Sequence, residues 1–286
     1  MQPLREVINE FKQAHKALGH FNFSDSNQLK ALADASKATG LAVIAGLSEG
    51  ERGYFPLSQA RALVDEYQQE GVRMYLNADH TYSVEEVQRA IAAGVDSVVV
   101  DGAKLPLEQN VHLVATCVKY ARAAGRDVLV EGELGYIGTS SKVMDALPEG
   151  AAATEALMTT PEDAQRFVAE TGIDCFAPAV GNVHGIIKGG NPKLSIERIK
   201  AIAQAVSVPL VLHGGSGVSD EQFSEAIAAG IAVIHINTEF RLEYKEGLEE
   251  SLKQNPSEVA PYKYLAPVEQ KLEEFIAGRM RLFANQ

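Results

Sequence analysis

Short apolar runs alternate with helix-forming segments eight times along the chain, and this alternation limits the fold more than any other feature. The runs read as strands at 18–23 (LGHFNF), 41–47 (LAVIAGL), 73–78 (RMYLNA), 95–101 (VDSVVVD), 127–133 (DVLVEGE), 173–179 (IDCFAPA), 208–213 (VPLVLH) and 231–236 (IAVIHI). They are continuously apolar, as expected of parallel strands buried on both faces. Between them lie helical patterns such as SVEEVQRAIAAG (83–94), SIERIKAIAQAV (195–206) and SDEQFSEAIAAG (219–230). Ser83 with Glu86, and Ser219 with Gln222, stand at capping-box spacing, and several of these segments stop at glycine. Eight strand–helix units in roughly 240 residues predict an α/β fold, a closed (β/α)8 barrel of the TIM type, with extra C-terminal helices in the charged tail after residue 238. An open, doubly wound sheet is the rival. It would carry a glycine-rich phosphate turn after the first strand, and HFNFSDSN is not one. No Pro/Gly/Ser linker interrupts the pattern, so residues 1–286 are expected to form one domain.

The net charge of −12 argues against nucleic acid or an anionic membrane as the main partner. No stretch approaches the roughly 18 apolar residues of a membrane span. The first residues, MQPLREVINEFKQAHKALG, are amphipathic rather than signal-like. Cys117 and Cys175 sit in apolar contexts and read as buried thiols, which suits a reduced, cytoplasmic setting.

A barrel of this kind carries its chemistry on the loops that follow the strands. The third run ends in Asn77-Ala78-Asp79-His80 and the fourth in Asp101-Gly102. The fifth ends in Glu131-Gly132-Glu133, the sixth leads into Gly181-Asn182-Val183-His184-Gly185, and the seventh ends in His213-Gly214-Gly215-Ser216-Gly217. The eighth ends in His235-Ile236-Asn237-Thr238-Glu239, and the first two end near Asn22 and Ser48. His80, His184 and His213 would thus follow different strands on one rim, which suits a catalytic zinc site of three imidazoles with an open position. His15, His20 and His112 read as structural. Asp79 is the candidate acid/base, provided the strand end turns its side chain to the same side as that of His80; the bland alternative is a helix N-cap. Glu131 and Glu133 share a strand face and could hold a second cation, tune a proton or make a salt bridge. The glycines after His213 and the helix that follows Ser219 suit a phosphate, with Lys188, Asn237 and Thr238 as further candidates.

These motifs resemble the class II fructose/tagatose-bisphosphate aldolase family over residues 20–245. Asn77–His80 through Asp101-Gly102 resembles that family's LDH…SVMxDG segment, and Val130–Gly135 its VEAELG. Gly181–Gly185 with Lys188 resembles its GTxHGxYK, and Leu212–Gly217 its HGGSG.

The resemblance implies a metal-dependent retro-aldol cleavage of a ketose (bis)phosphate, most simply fructose 1,6-bisphosphate. By matching positions it implies zinc on His80, His184 and His213, with Glu133 and Asp101 at an alternative metal position. A second divalent or a monovalent cation stays open. Asp79 matches the acid/base. Asn22, Ser48, Gly185, Lys188, Gly214, Ser216, Asn237 and Thr238 match positions around the phosphorylated sugar. A homo-oligomer, dimer or tetramer, is implied as well. Two departures stand out. Where the family continues GGxED with a loop acid, this chain reads Tyr136–Lys142 (YIGTSSK), with no acid at that place, so either Asp145, Glu149 or Glu155 takes the role or the activity differs. His235 also replaces an asparagine that contacts the dihydroxyacetone portion. Another phosphorylated keto sugar, tagatose bisphosphate among them, is therefore the alternative substrate, and a non-catalytic metal- or metabolite-binding barrel is the alternative class.

Overall fold

The computed structural model describes residues 1–139 and 141–286. Eight strands close into a parallel barrel: β1 (Leu18–Asn22), β2 (Val43–Leu47), β3 (Met74–Thr81), β4 (Ser97–Val100), β5 (Leu129–Leu134), β7 (Cys175–Pro178), β9 (Leu210–Leu212) and β10 (Ile231–Ile236). All eight predicted runs are strands of this barrel. The sequence reading lacks β6 (Val143–Met144) and β8 (Ile186–Ile187), a small parallel pair over the C-terminal rim. Two residues per strand leave no periodicity to detect.

Helices separate the strands and start where the capping residues predict. The Ser83 side chain accepts from the Glu86 N–H, and that of Ser219 from the Gln222 N–H. Two long C-terminal helices, Thr238–Gln254 and Pro261–Phe283, pack on each other, and the second also packs on the helix Ser26–Thr39. The larger core lies between the helices and the outer face of the barrel, where Phe167, Phe176, Phe223 and Phe283 are fully buried. Burial of each such ring stabilises by roughly 1.5–3 kcal/mol.

The barrel interior places the site. Side chains two apart on a strand share a face. Leu18, Ile44, Tyr75, Leu129, Cys175, Val211 and Val233 form an apolar inner cluster at the N-terminal end. Leu4, Val7, Ile8 and Phe11 of the first helix (Leu4–Gln13) join it and plug that end. Two residues further along, the inward positions turn polar: His20, Asn77, Glu131, His213 and His235. Asn22, Asp79, Glu133 and Asn237 follow two residues further still. The inner face therefore grades from a packed plug to a buried polar floor under the C-terminal mouth, where barrel enzymes hold their chemistry.

Candidate active site

The central feature is an irregularity in β3. Its register with β4 shifts between Ala78 and Thr81, and His80 has φ of 38°, in the left-handed region. In a regular strand Asp79 and His80 would face opposite sides. Here both reach the mouth, with His80 Nε2 3.8 Å from Asp79 Oδ1. Arg52 clamps the distortion: its Nη1 donates to the carbonyls of Leu47 (2.7 Å) and Asp79 (2.8 Å). Ser83 caps the following helix, so Asp79 is not spent as an N-cap.

Asp79 is 2% exposed. Its Oδ2 accepts from Asn22 Nδ2 at 2.9 Å, and its Oδ1 lies 3.5 Å from His235 Nδ1. Burial opposes its charge, but the His80 charge and the adjacent His235 imidazole outweigh burial and hold the carboxyl well below its usual range.

His80, His184 and His213 converge as the sequence predicts. Their ring centroids lie 4.8, 4.9 and 5.9 Å apart, and one nitrogen from each falls within 4.8 Å of the others. His80 Nδ1 faces Asp101 Oδ2 at 2.9 Å, which leaves Nε2 toward the mouth. His213 Nε2 faces Glu131 Oε1 at 2.6 Å, which leaves Nδ1, a buried atom without a protein partner. Burial and the charges of His80 and His213 hold His184 well below its ordinary value, as a neutral imidazole. Three imidazoles, two of them oriented by carboxylates on their far nitrogens, fit a divalent metal with an open position.

Burial, then the charge of Asp101, pushes Glu133 up to about 8. Its Oε2 is also buried without a partner, 3.6 Å from His80 Nδ1. His80, Asp101 and Glu133 thus form a second group that could hold a cation, sharing His80 with the first.

His20 does not lie apart from the site, as the sequence reading has it. It is the β-ladder partner of His235, and the two rings stack at 3.5 Å with 8° between planes. A Cβ at Gly46 would stand 2.2 Å from the His20 ring, so only glycine on β2 admits that histidine. The usable signal was the spacing: His20 precedes Asn22 by two, on the inward face. His15 and His112 stay outside, on or near helices.

The mouth holds a recess of about 290 Å³, whose lining includes Asn22, Asp79, Gly185, Gly214, Ser216, Asn237 and Thr238 with the three imidazoles and His235. Gly214 has φ of 62°, and a Cβ there would meet the Val183 carbonyl oxygen at 2.3 Å. Lys188 is not in this recess. It pairs with Asp145 at 2.7 Å, and its side chain is 66% exposed. The three acids that follow the altered loop turn elsewhere: Asp145 to Lys188, Glu155 to Arg198 and Ser195, and Glu149 to the exposed surface. Lys104 is exposed, over the Tyr136 ring.

Ser48 lines an adjoining chamber, with its N–H and hydroxyl both donated to Glu51 Oε2. Glu51, 6% exposed, also accepts from Asn22 and from Arg241. Glu51 and Arg241 are absent from the sequence reading. Both lie inside helices, past the strand ends where a motif search looks.

The chain matches the model of the family described as fructose-bisphosphate aldolase class-II over residues 2–286. It belongs to the class II fructose-bisphosphate aldolase family. The Bacillus subtilis protein named "Probable fructose-bisphosphate aldolase" is 34% identical over 99% of this chain and 97% of its own length. The Geobacillus stearothermophilus fructose-bisphosphate aldolase is 33% identical over 99% and 96%. Among solved structures, the YdjI aldolase from Escherichia coli K12 superposes with a TM-score of 0.81 at 28% identity, over 99% of this chain and 97% of that one. Campylobacter jejuni fructose-bisphosphate aldolase, at 20% identity and a TM-score of 0.75 over 97% and 91%, shares the fold. The class II family is one of metal-dependent aldehyde-lyases acting on phosphorylated sugars. No helix among the described residues is long and apolar enough to cross a membrane.

Proposed function

We propose that this class II aldolase cleaves a ketose bisphosphate, fructose 1,6-bisphosphate first, to dihydroxyacetone phosphate and an aldehyde. The observation that carries this reading is the convergence of three imidazoles within 4.8 Å beside a buried, ionised Asp79. His80 Nε2, His213 Nδ1 and His184 would hold zinc, with Asp101 and Glu131 orienting the first two rings. When bound, the cation supplies Lewis-acid stabilisation of the charge that develops on the ketose oxygens.

The protein's own groups do the rest. Asp79, ionised at neutral pH, takes the proton of the hydroxyl at the bond that breaks. Asn22 holds Asp79 Oδ2, so Oδ1 is the oxygen available for that proton. The Gly214–Ser216 turn and the start of the helix Thr238–Gln254 take the phosphate at the dihydroxyacetone end, with Gly185 and Asn237 beside it. Lys188 would reach that phosphate only by leaving Asp145. Glu133 and Asp101 would serve a displaced or second cation. The buried free thiols Cys117 and Cys175 suit a reduced cytoplasmic setting, and oligomerisation is expected from family membership.

One observation favours a second substrate reading. His235 borders the recess where the family has an asparagine, so another phosphorylated keto sugar, tagatose bisphosphate included, remains the alternative. A coupled assay on each sugar tests both. Cleavage stopped by a chelator and restored by zinc is the expected result. No cleavage of any phosphorylated ketose by zinc-loaded protein would overturn the reading.

A further inference from the structure

Glu51 stands in the short helix Glu49–Tyr54 that follows β2, and it forms a capping box with Ser48. A capping glutamate needs only the bond from the N-cap N–H. Glu51 takes that bond, from Ser48 at 2.7 Å, and accepts three further donors. Its Oε2 also receives the Ser48 hydroxyl at 2.8 Å and Asn22 Nδ2 at 2.9 Å, and its Oε1 receives Arg241 Nη2. Capping therefore leaves most of the contacts of this buried carboxylate unexplained. Glu51 lines neither the imidazole recess nor the chamber beside it, so whatever it does for a ligand it does through another residue.

That residue is Asn22. Its Nδ2 lies 2.9 Å from Glu51 Oε2 and 2.9 Å from Asp79 Oδ2. An amide nitrogen carries two N–H groups, one for each of these carboxylates. The reverse orientation would set the amide oxygen against two groups that only accept. Two carboxylates thus decide which way the amide faces: nitrogen toward Asp79, oxygen toward the recess that Asn22 lines. Among the described residues nothing donates to Asn22 Oδ1, and a ligand hydroxyl can. Without Glu51 the amide would keep a single bond, to Asp79, and could swing about it. Asn22 ends β1, Ser48 follows β2 and Asp79 lies in β3, so Glu51 ties together three neighbouring strand ends.

We propose that Glu51 is a positioning residue for the bond-breaking step: it locks the Asn22 amide so that the nitrogen holds Asp79 Oδ2 and the oxygen accepts a substrate hydroxyl beside the broken bond. This inference rests on the aldolase reading above and adds to it a residue that acts only through Asn22.

The test is cleavage by the full-length, zinc-loaded chain of whichever of fructose and tagatose 1,6-bisphosphate the wild type cleaves faster. Glu51→Leu keeps the bulk of the side chain but accepts nothing. It should lower kcat by about tenfold or more, as misplacing a catalytic group does, with zinc content at the wild-type level. Glu51→Gln, whose amide oxygen can still take the Ser48 and Asn22 donors, should keep most of the rate. The double variant Asn22→Ala with Glu51→Leu should be no slower than Asn22→Ala alone, because residues that act as one unit do not add. An unaltered rate or lost zinc in Glu51→Leu, a Gln variant as slow as the Leu one, or losses that multiply in the double variant would each overturn the assignment. Solvent-proton exchange into dihydroxyacetone phosphate by the wild type involves no broken carbon–carbon bond. Its absence would sink the aldolase reading itself, whereas exchange together with multiplying losses in the double variant would sink Glu51 alone.

Discussion

Asp79 and His80 are neighbours in β3, yet His80 Nε2 and Asp79 Oδ1 lie 3.8 Å apart on the same side of the strand. The left-handed φ of His80 and the register shift beside it make this so. Such a backbone costs about 1–3 kcal/mol and persists only where its surroundings enforce it. Here the Arg52 clamp on the Asp79 carbonyl and the Asp101 contact on His80 do that. The distortion sets an acid/base beside a metal ligand, which a flat strand could not do.

Asp79→Asn should therefore separate the two roles. The amide keeps the size of the side chain and leaves the imidazoles in place, so zinc content should stay at the wild-type level. Cleavage should fall roughly 10²–10⁴-fold, the range for a lost general acid/base. Full cleavage with zinc still bound would move the acid/base role to another group.

Metal uptake should release a proton. Burial disfavours charge on His80, but Asp79, the Asp101 hydrogen bond and Glu133 outweigh burial and raise its pKa from 6.5 to about 10. In the metal-free protein that proton stabilises the fold fully below 6.5, and the contribution is lost as pH rises through about 10. A metal on His80 Nε2 must displace it, so affinity should rise with pH by about tenfold per unit across the neutral range. Zinc titration calorimetry at pH 7 and 8, in buffers of different ionisation enthalpy, measures the released proton directly. Affinity independent of pH would contradict the pairing.

Glu131→Gln should weaken metal binding without removing a ligand. Glu131 meets His213 at 2.6 Å and fixes which nitrogen points to the mouth. Loss of such an outer partner costs roughly 10–100-fold in metal affinity. Competition against a chelator reads this, and an unchanged affinity would make the contact structural only.

Gly46→Ala should destabilise the fold by about 1–3 kcal/mol in urea denaturation, as overpacking does. The new methyl would fall 2.2 Å from the His20 ring, which is stacked on His235. The double variant with His20→Ala should recover part of the loss, because the two changes share one space. Strict additivity would mean that Gly46 matters for another reason.

The barrel was legible because each strand is a continuous apolar run and each following helix carries its own cap. The three imidazoles were legible because strand ends are where a barrel displays chemistry. Three things were hidden. Whether Asp79 reaches the side of His80 depends on one dihedral angle that no periodicity encodes. His20 reads as a core histidine until β1 is set beside β10 and the two rings meet. Glu51 and Arg241 lie 190 positions apart and meet only because the barrel closes. Lys188 shows the converse: its spacing from His184 suits a phosphate, but the short β6–β8 pair carries it outward to Asp145.

Solvent-proton exchange into dihydroxyacetone phosphate, followed by NMR with and without a chelator, tests the central claim most directly. It isolates the step that needs the cation and the protein's own proton-handling groups, and it depends on no particular aldehyde. The account predicts exchange by the zinc-loaded protein, its loss on chelation and its return on adding zinc. Exchange that persists without metal, or none from zinc-loaded protein, would contradict it.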